Sequence, residues 1–137
     1  MTNRRILYDW EYGTEKIMIH VGKYEFGGLY VGMLCEIDGN LEFFSDLTKN
    51  IPGYELAYNE AYITYDFRKS NLAFITHESS ECKLAFIEKY KLGVIKPSYA
   101  QSGFCTYCKV AFDLKRLEEL DPEGTKQFAQ QMGIEIG

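Results

Sequence analysis

Four cysteines and two histidines are the residues best suited to metal or redox chemistry, and their spacing argues against both. Cys105-Thr106-Tyr107-Cys108 is the one CxxC in the chain. A structural zinc site needs a second such pair or closely spaced histidines. Here Cys35, Cys82, His20 and His77 stand singly. The pair also lies in a run that reads as β-strand, where residues three apart point to opposite faces. A thioredoxin-like pair would open a helix, and this one does not. The sequence therefore predicts no metal and no cofactor, with Cys105 and Cys108 as reduced packing thiols. The nucleophile elbow, the zinc-protease helix, the phosphate-binding glycine loop and the dinucleotide fingerprint have no counterpart in the chain. No catalytic residue is assigned, and the expectation is a protein that is not an enzyme.

Acids and aromatics carry the remaining chemistry. The chain has 20 Asp and Glu against 15 Lys and Arg, a net charge of −5. That balance disfavours direct nucleic-acid binding, because phosphate contacts need clustered Lys and Arg. Residues 36–60 hold Glu36, Asp38, Glu42, Asp46, Glu55 and Glu60 against Lys49 alone, so this segment matches the charge of the whole chain. Eleven Tyr, nine Phe and one Trp make 15% of the residues aromatic, a surplus well suited to contact surfaces.

The elements that position these groups follow from periodicity and turn chemistry. Residues 5–10 and 16–21 read as a hairpin about Tyr12-Gly13. Leu29, Val31, Met33, Cys35 and Ile37 alternate with Tyr30, Gly32, Leu34, Glu36 and Asp38, a period-2 strand. A second strand with Leu41, Phe43, Ser45 and Leu47 follows Asp38-Gly39-Asn40. Read as a three-residue loop, this turn pairs Ile37 with Leu41 and Cys35 with Phe43. Glu36 then opposes Glu42, with Asp46 farther along the same outward face and Tyr30, Leu34 and Phe44 beside them. Like charges directly opposite one another are destabilising, and a basic partner would neutralise them. The predicted partner-binding residues are accordingly Glu36, Glu42, Asp46, Tyr30 and Phe44.

Farther on, strands are expected near 61–67 and 71–76. A helix capped by Ser79 or Ser80 runs from about Glu81 to Leu92, with Gly93 as its stop. Two strands flank Ser102-Gly103 between Val94 and Phe112. Asp113 caps a short helix, and Asp121-Pro122 starts another that ends at Gly133. The organisation is one domain over 1–137: sheet-rich 1–78, helix 80–92, strands 94–112 and C-terminal helices 113–133. The fold class is α+β, an antiparallel sheet with a central helix and one or two C-terminal helices on one face. The apolar surplus leaves a homodimer through the sheet or through Phe128 and Met132 as an option. The N-terminal stretch lacks the apolar run of a signal peptide and no stretch approaches a membrane span, so a cytoplasmic location is expected.

The run Gln101-Ser102-Gly103-Phe104-Cys105-Thr106-Tyr107, continuing to Val110-Ala111-Phe112-Asp113, resembles the C-terminal signature of a domain-of-unknown-function family carried by bacterial phages, plasmids and conjugative elements. Tyr24-Glu25-Phe26 before a glycine turn, Thr64-Tyr65-Asp66, and Leu84 to Tyr90 followed by Leu92-Gly93 fit the same family in order, over roughly residues 20–115. The chain departs from the family pattern at Cys108, where the family has proline. It departs again at Tyr65-Asp66-Phe67 and Ser70-Asn71, where the family has an Asp-Thr-Asn-Asn-like run. The resemblance implies a counter-defence context: an inhibitor of the anti-CRISPR or anti-restriction kind, set against a basic surface of a nucleic-acid-handling defence protein. An alternative is sequestration of a nucleotide signal, with Tyr54, Tyr58, Tyr62 and Tyr107 stacking on a base and Arg68 and Lys69 meeting phosphate. An accessory role in the element's own transfer or replication is the third reading.

Overall fold

The computed structural model describes residues 4–24, 28–49, 72–76, 81–102 and 105–136. Strands β1 (Arg5–Trp10), β2 (Gly13–Lys23), β3 (Leu29–Ile37) and β4 (Asn40–Asp46) form an antiparallel sheet in sequence order. Strands β5 (Leu72–Thr76), β6 (Gly93–Ser102) and β7 (Cys105–Phe112) form a second antiparallel sheet, ordered β5-β7-β6. Helices α1 (Glu81–Lys89), α2 (Leu114–Leu120) and α3 (Pro122–Met132) complete the described elements. The class is α+β as the sequence predicts, with the strands divided between two sheets. No helix among the described residues is long and apolar enough to cross a membrane.

Alternation builds the core. Ile17, Ile19 and Val21 of β2 share a face with Val31, Met33 and Cys35 of β3, which they oppose directly. That face meets Ala73 and Ile75 of β5, Val110 and Phe112 of β7, Phe86 and Ile87 of α1, and the buried sides of α2 and α3 in one cluster. Phe128 is buried in this cluster and Met132 packs against it, so the pair considered for a dimer face belongs to the core.

Helix ends follow local chemistry, with one correction. α1 stops at Lys89 rather than at Gly93. Lys91 takes the left-handed conformation (φ 57°), and Leu92 N–H returns to the Ile87 carbonyl at 2.9 Å, a Schellman closure without glycine. Gly93 serves β6 instead, where an added Cβ would lie 2.6 Å from the Ala111 carbonyl oxygen. Asp113 caps α2 by accepting from the amides of Lys115 and Arg116, and Gly133 (φ 68°) ends α3.

Asp121 joins helices to sheet. Its N–H returns to Leu117 O, closing α2, while its carboxylate accepts from Gly124 N and so caps α3. The same carboxylate accepts the Val21 amide at 2.8 Å. β2 needs that acceptor because its ladder to β1 ends at Met18, leaving the next residues without that neighbour. The helix start comes this close because Gly124 has no Cβ, which would stand 2.5 Å from Val21 O.

Candidate functional site

The β3–β4 hairpin is tighter than expected. Asp38 (φ 52°) and Gly39 (φ 83°) form a two-residue turn with both φ positive, the hand that matches strand twist. Ile37 therefore pairs with Asn40, Glu36 with Leu41, Cys35 with Glu42 and Leu34 with Phe43. A bulge follows: Met33 pairs with Ser45, leaving Phe44 as the extra residue.

These two features overturn the single acidic face. The shorter turn moves Glu42 and Phe44 to the opposite side from Glu36 and Tyr30, since a one-residue slip inverts every side chain. The bulge inverts the strand again and returns Asp46 to the side of Tyr30. Phe44 turns inward instead of outward, with its ring 6.0 Å from that of Tyr8 and 5.3 Å from that of Trp10. Glu36 lies 4.0 Å from the Arg5 guanidinium rather than opposite a second acid. Glu42 is exposed near the hairpin end.

Tyr30 and Asp46 are bonded to each other. The Tyr30 ring lies across Gly32, where a Cβ would collide with it, and its hydroxyl donates to Asp46 at 2.6 Å. Tyr24 stands edge-on to Tyr30 and shares a hydrogen bond with Thr48, whose hydroxyl also accepts the Val31 amide. Burial raises the pKa of both phenols, Tyr24 to about 12, and the Asp46 carboxylate adds to the rise at Tyr30. Stability from these neutral phenols is fully present below pH 10, where the unfolded chain also keeps them protonated, and is lost as pH rises through the folded values. Urea unfolding midpoints should accordingly fall between pH 10 and 12, with a shallower fall in Tyr30→Phe. Equal slopes in the two proteins would count against this account.

The apolar side chains whose exposure the sequence reading missed are Ile37, Leu41 and Phe43, which are 53%, 48% and 62% exposed. Leu41 and Phe43 share the outer side with Glu36, while Ile37 and Glu42 lie on the other. The end of the hairpin is thus apolar on both sides and edged by Glu36, Asp38 and Glu42. The pair Asp38-Gly39 was the available signal, because it favours the two-residue turn.

Tyr54, Tyr58, Tyr62, Arg68 and Lys69 lie outside the described residues, as does His77. Tyr107 sits in β7 between Ala100 and Thr76, and its side chain lies outside the description. Cys108 is buried and Cys105 pairs with Ser102 at the start of β7. Among the described residues no group of three His, Cys, Asp or Glu is arranged to hold a metal.

A cleft of about 300 Å³ opens on the inner side of the bulge, lined by Tyr8, Trp10, Glu11, Phe44, Ser45, Cys82 and Lys83. The twist and bulge of β4 place Phe44 there, and the first turn of α1 supplies Cys82 and Lys83. Burial lowers the Lys83 pKa, with Lys49 lowering it further and Asp46 opposing the shift.

No curated protein and no solved structure matches the chain. A family model described as a domain of unknown function, DUF4313, matches residues 18–132, from within β2 to the last residue of α3. Both described sheets, the three described helices, the hairpin and the Asp121 junction fall largely within that span, and the chain belongs to the DUF4313 family.

Proposed function

We propose that this domain is a non-catalytic binding protein that presents the end of its β3–β4 hairpin to a protein partner. The observation that carries the reading is the exposure of Ile37, Leu41 and Phe43 on a hairpin edged by Glu36, Asp38 and Glu42. Large apolar side chains grouped on a surface mark interaction sites, and aromatic anchors dominate their energetics. The acids select a partner whose apolar pocket is rimmed by Lys and Arg, and they steer its approach. Clustered Lys and Arg are a hallmark of nucleic-acid-handling proteins. The partner class we infer is a bacterial defence component of that kind, inhibited inside the host cytoplasm by a phage or mobile-element protein. The acidic balance of the chain supports a protein partner over direct nucleic-acid binding.

The test is quantitative capture from bacterial lysate with the wild type, Leu41→Ser/Phe43→Ser and Glu36→Lys/Glu42→Lys. All four positions are exposed, so both variants should melt like the wild type. A nucleic-acid-handling protein held by the wild type should be lost by the apolar variant, by about 30-fold or more in affinity if Phe43 is an anchor. The charge variant should weaken the same complex, and so should added salt. A partner that both variants retain at wild-type strength would remove the hairpin from the interface.

A further inference from the structure

A cleft of about 510 Å³ lies where the end of α1 meets the start of α2, and its lining includes Lys89, Lys91, Lys115 and Arg116. This concentration of cations stands in a chain of net charge −5. Three of the four sit against local preference. Lys91 holds the left-handed position (φ 57°) that ends α1, where a glycine would avoid the strain. Lys115 and Arg116 fall in the first turn of α2, which carries no acid although the helix dipole favours one there. Residues held against local preference cluster at functional sites. The Arg116 guanidinium is also fixed in advance: its Nε donates to the Tyr90 carbonyl at 2.8 Å and its Nη1 to Glu119 at 2.9 Å. A ligand therefore has little ordering of that side chain to offset. The carboxylates in the lining are engaged, Glu119 with Arg116 and Asp113 with the amides of Lys115 and Arg116. Lys89 pairs with Asp9 at 3.7 Å. Lys91 and Lys115 make no ion pair among the described residues, so two ammonium groups border the cleft without a counter-ion.

We propose that this cleft binds a phosphate monoester, with its phosphoryl group between Lys91, Lys115 and Arg116 and its organic part over Val94. A monoester carries close to two negative charges at neutral pH, which matches the two unpaired ammonium groups. Arg116 has N–H donors beyond those in use, and a planar guanidinium suits phosphate oxygens. A carboxylate or a sulfate ester, with one charge, would leave one lysine unmet. The cleft is larger than a phosphoryl group needs, and Lys91 and Asp113 also border a shallow depression lined by Gly93, Val94 and Ala111. Val94 is 63% exposed, an apolar surface for the rest of the ester. Glu88 borders the same depression and repels the anion from it, which sets the orientation of the ligand. The site does not involve the hairpin and stands whether or not that surface binds a protein.

The experiment titrates phenyl phosphate, phenyl sulfate and inorganic phosphate into ¹⁵N-labelled protein at about pH 7.5 and constant ionic strength, following the amides of Lys91, Val94 and Lys115. These resonances should shift and saturate with phenyl phosphate. Phenyl sulfate should bind about tenfold more weakly because it carries less charge, and inorganic phosphate about tenfold more weakly because it lacks the ring. Lys91→Gly distinguishes a ligand site from a chance surface lysine. It should melt about 2–3 °C higher as the strain is relieved, yet bind phenyl phosphate about tenfold more weakly. Lys115→Gln, at an exposed side chain, should lose a similar factor without a change in melting. Shifts that fail to saturate, or that spread to lysines outside the cleft, overturn the proposal, because they report general attraction of anions. Phenyl sulfate binding as tightly as phenyl phosphate overturns it too, and inorganic phosphate doing so would assign the cleft to the free ion instead of an ester. A Lys91→Gly protein with wild-type affinity has the same consequence. The ligand series on the wild type decides the question even if a variant fails to fold.

Discussion

Asp121→Ala is expected to cost the fold about 3 kcal/mol, a large share of the stability of a single domain. The substitution removes an N-cap, worth about 1 kcal/mol, and a charge-assisted acceptor, worth roughly 1.5–3 kcal/mol. Asp121 is 4% exposed, so water does not readily replace the carboxylate. Val21 N–H and Gly124 N–H would both lose their acceptor. His20 lies 3.8 Å away, but it is exposed and adds little. The conservative Asp121→Asn keeps one acceptor oxygen and should lose about half as much. Thermal melts would show Asp121→Ala lower by about 10 °C, at roughly 3–4 °C per kcal/mol for a chain of this size. A loss of only 1 kcal/mol would mean that the residue is a helix cap and that the bond to β2 contributes nothing net.

Phe112→Ala should cost still more, about 3–5 kcal/mol, because it empties a fully buried site at the end of β7. Phe112 opposes Gly93 and shares the core cluster with Leu92, Leu114 and Leu117. The neighbouring backbone cannot close the gap, since β6 and β7 are held in register there and Asp113 N–H is bonded to Leu92 O at 2.8 Å. The matched control is Phe43→Ala, the same chemical change at a side chain 62% exposed, which should stay within about 0.5 kcal/mol of the wild type. Parallel denaturant titrations compare the two. Equal losses would contradict the placement of Phe43 on the surface. The pair also separates two environments of phenylalanine in this chain, one filling the core and one exposed on the hairpin.

Both phenylalanines stand at alternating apolar positions in strand patterns, and alternation alone does not say which one is covered. Burial depends on what lies over each face, and that is set by chain segments far away in sequence. Near the hairpin, local information was present but was read through side-chain matching rather than turn geometry. Asp38-Gly39 supplies two residues that tolerate positive φ, and that local preference outweighed the pairing of Ile37 with Leu41. The bulge at Phe44 had no comparable signature. It becomes favourable only because Tyr8 and Trp10 stand ready to receive the ring.

What the sequence determined by itself was the part governed by near neighbours. The first hairpin, the alternation of β3, the break between β6 and β7, the caps Asp113 and Asp121, and the stop at Gly133 all follow from the preferences of a few consecutive residues. The α+β class follows from their order. Only the tertiary structure decided the division of strands into two sheets, the inward turn of Phe44, and its meeting with Tyr8 and Trp10. It also decided the bond from Asp121 to Val21, which spans 100 positions. The physical reason is that each of these joins groups that meet only after the chain has closed long loops, and the entropy of that closure is offset by the assembled core rather than by any local preference.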